Sequence, residues 1–314
     1  MPFWSASARL FGLLPGIFAG GCFSCALPVS FEECQEGLLL SDFNLVVAMI
    51  DQTVIHFHIP KTAGSTINSI LVPAFDRDEV FLCGDNKLHL SHWESNVHFA
   101  GLSPEEQAPF RYIAGHVEYF LLESLRMPHF SFLFLRNPIE RLVSMYYFVK
   151  GHEGHHLHSK VVDEELTLAE FVSTGLWHEL DNGMCRRLSG VANSVPIGQC
   201  GEDVLQRAQY NLENNFSFIG FQERFDESLF LLLSFLDALD GLDYQSQNVT
   251  DKRKKAKRIT SEEKKALMAV NSLDLELYAF GRELYRSRYA PFLQKFARPL
   301  ESFKKALSLK KKTV

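Results

Sequence analysis

The sequence predicts an α/β fold in which a mainly parallel sheet is flanked by helices and the C-terminal half is rich in helix. Two observations carry this. Two short apolar segments, 53–59 (TVIHFHI) and 130–135 (FSFLFL), each run into a turn of small or polar residues and then into a stretch with helical periodicity. Polar side chains suited to chemistry, Lys61 and Arg136, stand at the ends of those two segments, where open α/β sheets carry their functional residues.

The first segment is rich in β-branched and aromatic residues and reads as a buried strand ended by Pro60. Ser65 or Thr66 starts the helix that follows, with Ile67, Ile70 and Leu71 as its apolar stripe. A helix N-terminus offers backbone N–H donors and a positive pole, which is what a phosphate needs. The turn Lys61-Thr62-Ala63-Gly64-Ser65-Thr66 adds to this. Gly64 permits close approach of backbone to ligand. Lys61 supplies a point charge, and Ser65 and Thr66 supply hydroxyls. A Walker A loop puts its lysine after the last glycine and follows it with Ser or Thr. Here Lys61 precedes Gly64, which disfavours an ordinary ATPase.

The second segment ends at Arg136. Asn137 is placed to cap a helix, Pro138 suits its first position, and Glu140 falls where a capping-box carboxylate reaches back. The helix continues through Leu142, Val143, Tyr146 and Tyr147. Ser144 lies two turns along it. Arg136 and Ser144 form a candidate second anion site, and Arg141 could join them or make a surface ion pair. A nucleotide phosphorylated at both its 5′ and 3′ positions needs two such sites. From about residue 167 to 300 the chain reads mostly as helices.

Composition bounds the rest. A chain of 314 residues with 46% hydrophobic and 22% charged residues is ordinary for a globular protein. A formal charge of −6 argues against a general nucleic-acid binder. The basic runs at 252–258 (KRKKAKR) and 304–312 read first as solvated faces. Cysteines 22, 25, 34, 83, 185 and 200 do not settle the compartment, and a Cys185–Cys200 bridge requires a secretory route. Residues 10–28 carry no charge and follow Arg9. They suit a signal or membrane anchor, yet Pro15 and four glycines make a poor membrane helix. An anchor places the protein at a membrane, in the Golgi lumen of a eukaryote; a natural start near Met49 leaves it cytoplasmic. The expected organisation is an N-terminal segment at 1–50, one domain at 51–300 and a basic tail at 301–314.

The motifs HIPKTAGST (58–66) and LRNPIERLVSMYY (135–147) together resemble the paired nucleotide motifs of the carbohydrate sulfotransferase family that includes heparan sulfate 2-O-sulfotransferase. The resemblance spans residues 53–289. It implies a P-loop-like fold and metal-free transfer of a sulfuryl group from 3′-phosphoadenosine 5′-phosphosulfate (PAPS) to a hydroxyl, on a glycan in that family. Lys61 to Thr66 match the loop around the 5′-phosphosulfate, and Arg136 and Ser144 match the contacts to the 3′-phosphate. A basic loop closes over the nucleotide in such enzymes; Lys252 and Arg253 are its counterparts here. The segments 218–229 (FIGFQERFDESL) and 271–278 (NSLDLELY) also look familial, as parts of the core that position the nucleotide. In 181–190 (DNGMCRRLSG), Arg186 and Arg187 resemble residues near the acceptor cleft, with a structural ion pair as the alternative.

Sulfuryl transfer needs a base for the acceptor hydroxyl, and a histidine titrates in the right range. His116, in YIAGHV, follows a short apolar stretch and a glycine, so it ends a strand between the two motifs. Gly-His-Val carries the base at this place in the resembling family. His56 and His58 alternate along one face of the first strand and read as packing groups, and Glu118 is a reserve base. His152, His155, His156 and His158 lie in a glycine-bounded loop whose spacing specifies no metal geometry. Two other functions stay open: an ATP-dependent phosphotransferase and a nucleotide-binding protein without catalysis.

Overall fold

The computed structural model describes residues 52–84, 90–238 and 259–310. Five strands form one parallel sheet: β1 (Thr53–His56), β2 (Val80–Cys83), β3 (Tyr112–Gly115), β4 (His129–Leu135) and β5 (Phe218–Phe221), in the order β2-β3-β1-β4-β5. Helices connect and flank them. Before β4 these are α1 (Gly64–Leu71), α2 (His92–Ala100), α3 (Pro104–Gln107) and α4 (Tyr119–Ser124). Between β4 and β5 lie α5 (Pro138–Gly151), α6 (His158–Asp163), α7 (Leu168–Ser173), α8 (Gly183–Ser189) and α9 (Glu202–Asn214). After β5 come α10 (Phe225–Phe235), α11 (Ser261–Ala269), α12 (Ser272–Lys295) and α13 (Ala297–Lys310). The expected mainly parallel α/β fold with a helical C-terminal half is therefore present, with β5 as a strand inside the part that reads as helix.

β1 is central and buried along its whole length, which is why its sequence alternates so little. It pairs with β3 through Val54 and Ile55 and with β4 from Thr53 to His56. Phe57 and Ile59 continue into the core beyond the last ladder residue. Helix starts follow local rules. Ser91, Ser103, Thr167 and Thr260 each open a helix with a complete capping box. Asn137 caps α5 by accepting from Ile139 and Glu140, as its position predicts. The capping-box role expected of Glu140 goes elsewhere: the Asn137 N–H donates to Glu223 beyond β5, at 2.6 Å.

A second cluster, built from Leu142, Tyr146, Val161, Phe171 and Leu267, packs the outer face of α5 against α6, α7 and α11. Two polar turns lock the helical half together. Asn182 accepts from the N–H groups of Leu273 and Asp274 at the start of α12, and Asp274 accepts from those of Met184 and Cys185 at the start of α8. Each turn thus satisfies the other's orphan helix donors. Arg141 is fully buried and pairs with Glu179 at 3.0 Å and Asp274 at 3.6 Å. Of the two roles open to it, the second anion site and a surface ion pair, it takes neither: it makes an internal ion pair because α5 turns that face into the helical half.

Candidate functional site

In a parallel sheet all strands end on the same edge. β1, β3 and β4 are neighbours, so the turn 60–64 after β1, His116 after β3 and Arg136 after β4 come to one place. The chain places β2 and β3 on one side of β1 and then crosses to β4 and β5 on the other, and such a switch point opens a crevice for ligands.

The turn after β1 is shaped by two left-handed residues, Lys61 (φ 69°) and Ala63 (φ 77°). The buried Thr62 hydroxyl between them donates to the Ile59 carbonyl at 2.8 Å, closing the turn on itself. Ala63 occupies the N-cap position of α1 and offers no side-chain cap. The first intrahelical bond is that of Ile67 to Ala63, so the N–H groups of Gly64 and Ser65 stand at a helix start with no side-chain cap. Gly64 has a role that the sequence does not announce. A Cβ there would lie 1.9 Å from the His58 ring, so the glycine makes room for an imidazole inside the protein. Ser65 is exposed and Thr66 is buried.

Arg136 is buried to 7% exposure and reaches across from β4, where its Nη1 donates to the Lys61 carbonyl at 3.1 Å. The two motifs are therefore in direct contact. Because Asn137 occupies the amides at the start of α5, an anion beside α5 meets side chains: Arg136, and the half-buried Ser144 further along the helix. Lys61 Nζ lies 3.9 Å from the centroid of the Phe148 ring on α5, which places the ammonium over a π face.

His116 belongs to a row of imidazoles. Its ring stacks on His58 at 5.2 Å and meets His92 edge-to-face at 4.5 Å, while His58 also stacks on His56 at 5.4 Å. Burial holds His116 well below the ordinary imidazole range, and the Arg187 charge and neighbouring histidines add to it. His58 is lowered in the same way, by burial first and then by His116 and His56. His56 is pushed down to about 4 by burial, against a 2.6 Å hydrogen bond between its Nδ1 and Asn68 Oδ1. His56, His58 and His116 are thus neutral at neutral pH. Glu118, the reserve base, has its carboxyl raised by burial, opposed by Arg187 at 3.7 Å. His56 and His58 do more than pack the strand: they back the His116 ring. Asn96 and His92 on α2, which border this segment from the other side, carry no motif; only the capping box at Ser91 marks where α2 begins.

The paired arginines separate. Arg186 is 2% exposed and spends all its donors on the scaffold: Asp181, its backbone carbonyl, and the carbonyls of Ala192, Val195 and Pro196. This corrects its assignment to the acceptor, since no N–H remains for a ligand. Arg187 faces the site, between Glu179, Glu118 and His116. The histidine-rich loop flanks Lys61: His152 and His155 contact Phe148, and His155 and His156 contact Trp177. No group of three or more His, Cys, Asp or Glu converges on a metal position among the described residues. Cys185 and Cys200 are free thiols. Lys252, Arg253 and the segment 10–28 lie outside the described residues. Among the described residues no helix is long and apolar enough to cross a membrane.

The family model of the sulfotransferase family matches residues 46–281. The chain belongs to the sulfotransferase family. Curated relatives include heparan sulfate 2-O-sulfotransferase 1 of Gallus gallus and of Homo sapiens, each 26% identical over 206 residues, 58% of this chain and 54% of the relative. The Xenopus laevis protein of the same name is 24% identical over 269 residues, 75% of this chain and 71% of its own. The chain thus spans about half the length of the chicken and human relatives. Among solved structures, a mouse sulfotransferase, SULT7A1, complexed with PAP superposes over 71% of this chain and 65% of its own, with 14% identity and a TM-score of 0.33.

Proposed function

We propose that this sulfotransferase moves the sulfuryl group of PAPS to a hydroxyl of a heparan-type glycan, with His116 as the base. The observation that carries the reading is the meeting of the Lys61 turn, His116 and Arg136 on the carboxyl edge of three adjacent strands. The donor set suits a doubly phosphorylated nucleotide. The open start of α1 with Lys61 to Thr66 takes the 5′-phosphosulfate, Arg136 and Ser144 take the 3′-phosphate, and Lys252 and Arg253 are proposed to cover it. In the reaction the acceptor oxygen forms a bond to sulfur as the bond from sulfur to the 5′-phosphate oxygen breaks, releasing 3′,5′-adenosine bisphosphate (PAP).

Each residue has a physical task. Lys61 and the α1 amides are preorganised donors where charge grows on the leaving phosphate. His116 takes the acceptor proton. Its lowered basicity keeps it neutral, and so ready to act, well into mildly acidic solution. Arg187 is the residue of its pair that can meet an acidic sugar, since it borders His116 while Arg186 is consumed by the scaffold. The glycan class follows from the names of the curated relatives.

The test is ligand-induced thermal stabilisation, which follows affinity by mass action. PAP is expected to raise Tm without magnesium, and ATP with magnesium is not. A shift by ATP–magnesium alone would favour a phosphotransferase instead. Transfer from labelled PAPS to a hexuronate–glucosamine oligosaccharide then tests the acceptor, and its absence alongside PAP binding would remove the glycan from the proposal.

A further inference from the structure

His58 stands just past the end of β1 and joins the two halves of the site. Its ring stacks on His116 at 5.2 Å. Its Cδ2–Nε2 edge lies against Gly64, the first residue of α1: a Cβ there would sit 1.9 Å from Cδ2 and 2.2 Å from Nε2. The ring is thus wedged between the helix start that receives the phosphosulfate and the imidazole that takes the acceptor proton. His56 also stacks on it, at 5.4 Å, and the charges of Lys61 and Arg187 both reach it.

The three stacked imidazoles differ in what their nitrogens face. His56 is fully buried; its Nδ1 is tied to Asn68, and its Nε2 is enclosed without a partner. His116 has its Nδ1 enclosed in the same way. His58 is half-buried, and neither of its nitrogens is enclosed like that among the described residues. Its Nε2 is the nitrogen placed to meet a ligand at the start of α1. Burial, with His116, His56, Arg187 and Lys61 around it, holds the ring well below the ordinary imidazole range, so it is neutral and carries one N–H. The oxygens of a sulfuryl group only accept, so a bound donor selects the form with the hydrogen on Nε2. A neutral imidazole beside a helix start is a hydrogen-bond donor that brings no charge of its own.

We propose that His58 is a further catalytic residue, whose Nε2–H holds the sulfuryl group in transit. The inference rests on the proposed function, with the start of α1 holding the phosphosulfate and His116 as the base. As sulfur leaves the 5′-phosphate oxygen and bonds to the acceptor oxygen, its three other oxygens travel with it. Lys61 serves the oxygen that is left and His116 the oxygen that arrives. His58 lies between them and serves an oxygen that moves with the sulfur, giving up no proton in the step. Its contribution is alignment: a group held by a fixed donor stays in line between the entering and leaving oxygens. PAP carries no sulfuryl group, so the contact is missing from the product complex.

The experiment compares His58→Phe and His58→Gln in the full chain. Three quantities are followed: the Tm shift by PAP, hydrolysis of PAPS to PAP without glycan, and transfer to the hexuronate–glucosamine oligosaccharide. Phe keeps a ring against His116 and Gly64 but has no donor; Gln gives up the ring and keeps an N–H. His58→Phe is expected to take up PAP with the wild-type shift and to lose about a hundredfold in kcat for both hydrolysis and transfer. His58→Gln is expected to keep more of both rates than His58→Phe. A packing role predicts an equal or reversed order, and either result overturns the proposal. So does a loss of transfer with hydrolysis at the wild-type rate, which would move His58 to the acceptor. Should His58→Phe lose the PAP shift, His58→Leu against His58→Gln makes the same comparison with a smaller side chain. No PAP shift in the wild type, or full activity in His116→Ala, would sink the proposed function and this inference together. An inactive His116→Ala beside a fully active His58→Phe would sink this inference alone.

Discussion

The two strand–turn–helix units look alike in sequence and are built to different ends. After β1 the helix start is uncapped: Ala63 stands at the N-cap with no side chain to offer, and the turn is bent by two left-handed residues. After β4 the helix start is closed by Asn137, which accepts from two amides while its own N–H is held by Glu223. The first unit leaves backbone donors open to a ligand. The second gives its backbone to the fold and presents side chains instead. An anion held by amides at a helix start is fixed in place with little freedom, which suits the reacting end of a donor; an anion held by Arg136 and Ser144 is anchored, which suits the end that does not react.

Four measurements break or sharpen that contrast. The largest effect is expected at the open unit. Lys61→Ala should lower kcat by about 10²- to 10³-fold, with much less change in PAP affinity measured by calorimetry. Next is the closed unit: Arg136→Ala should weaken PAP binding by roughly ten- to a hundredfold, as expected for a lost charged hydrogen bond, with kcat at saturating donor nearly kept. If both variants lost only affinity, the division between reacting and anchoring ends would fail.

The third concerns pH. His56 backs the open unit with its basicity lowered from 6.5 to about 4. Between these values the unfolded chain binds a proton that the folded chain refuses. This contribution to stability is whole above pH 6.5 and is lost as pH falls toward 4. Tm should therefore drop between pH 7 and pH 5, and His56→Phe should make that drop smaller; an unchanged slope would show the imidazole to be irrelevant to it. The smallest effect belongs to the cap. Asn137→Ala should cost about 1 kcal/mol of stability by denaturant unfolding and leave Lys61-dependent turnover intact.

Much of this was legible beforehand because it is local. The turn after β1, the arginine at the end of β4, the Asn137 cap and the histidine after β3 each follow from a few consecutive residues. The reading failed where a side chain's partner lies far along the chain. Arg186 and Arg187 are adjacent and chemically identical, yet one is saturated by Asp181 and four backbone carbonyls and the other faces His116. Arg141, open in the sequence to an anion site or a surface ion pair, is buried against Glu179 and Asp274. Gly64 looked like space for a ligand and is also space for His58. β5 went unread because four residues carry too little periodicity to separate strand from helix.

The sequence by itself determined that Lys61, His116 and Arg136 end strands, because strand, breaker and cap are written in neighbouring residues. The tertiary structure alone decided that these strands lie side by side, that their residues share one edge, and that His92 and Asn96 of α2 close on His116. Those are contacts between segments remote in the chain. They are chosen by the packing of whole elements, and no short stretch of sequence contains them.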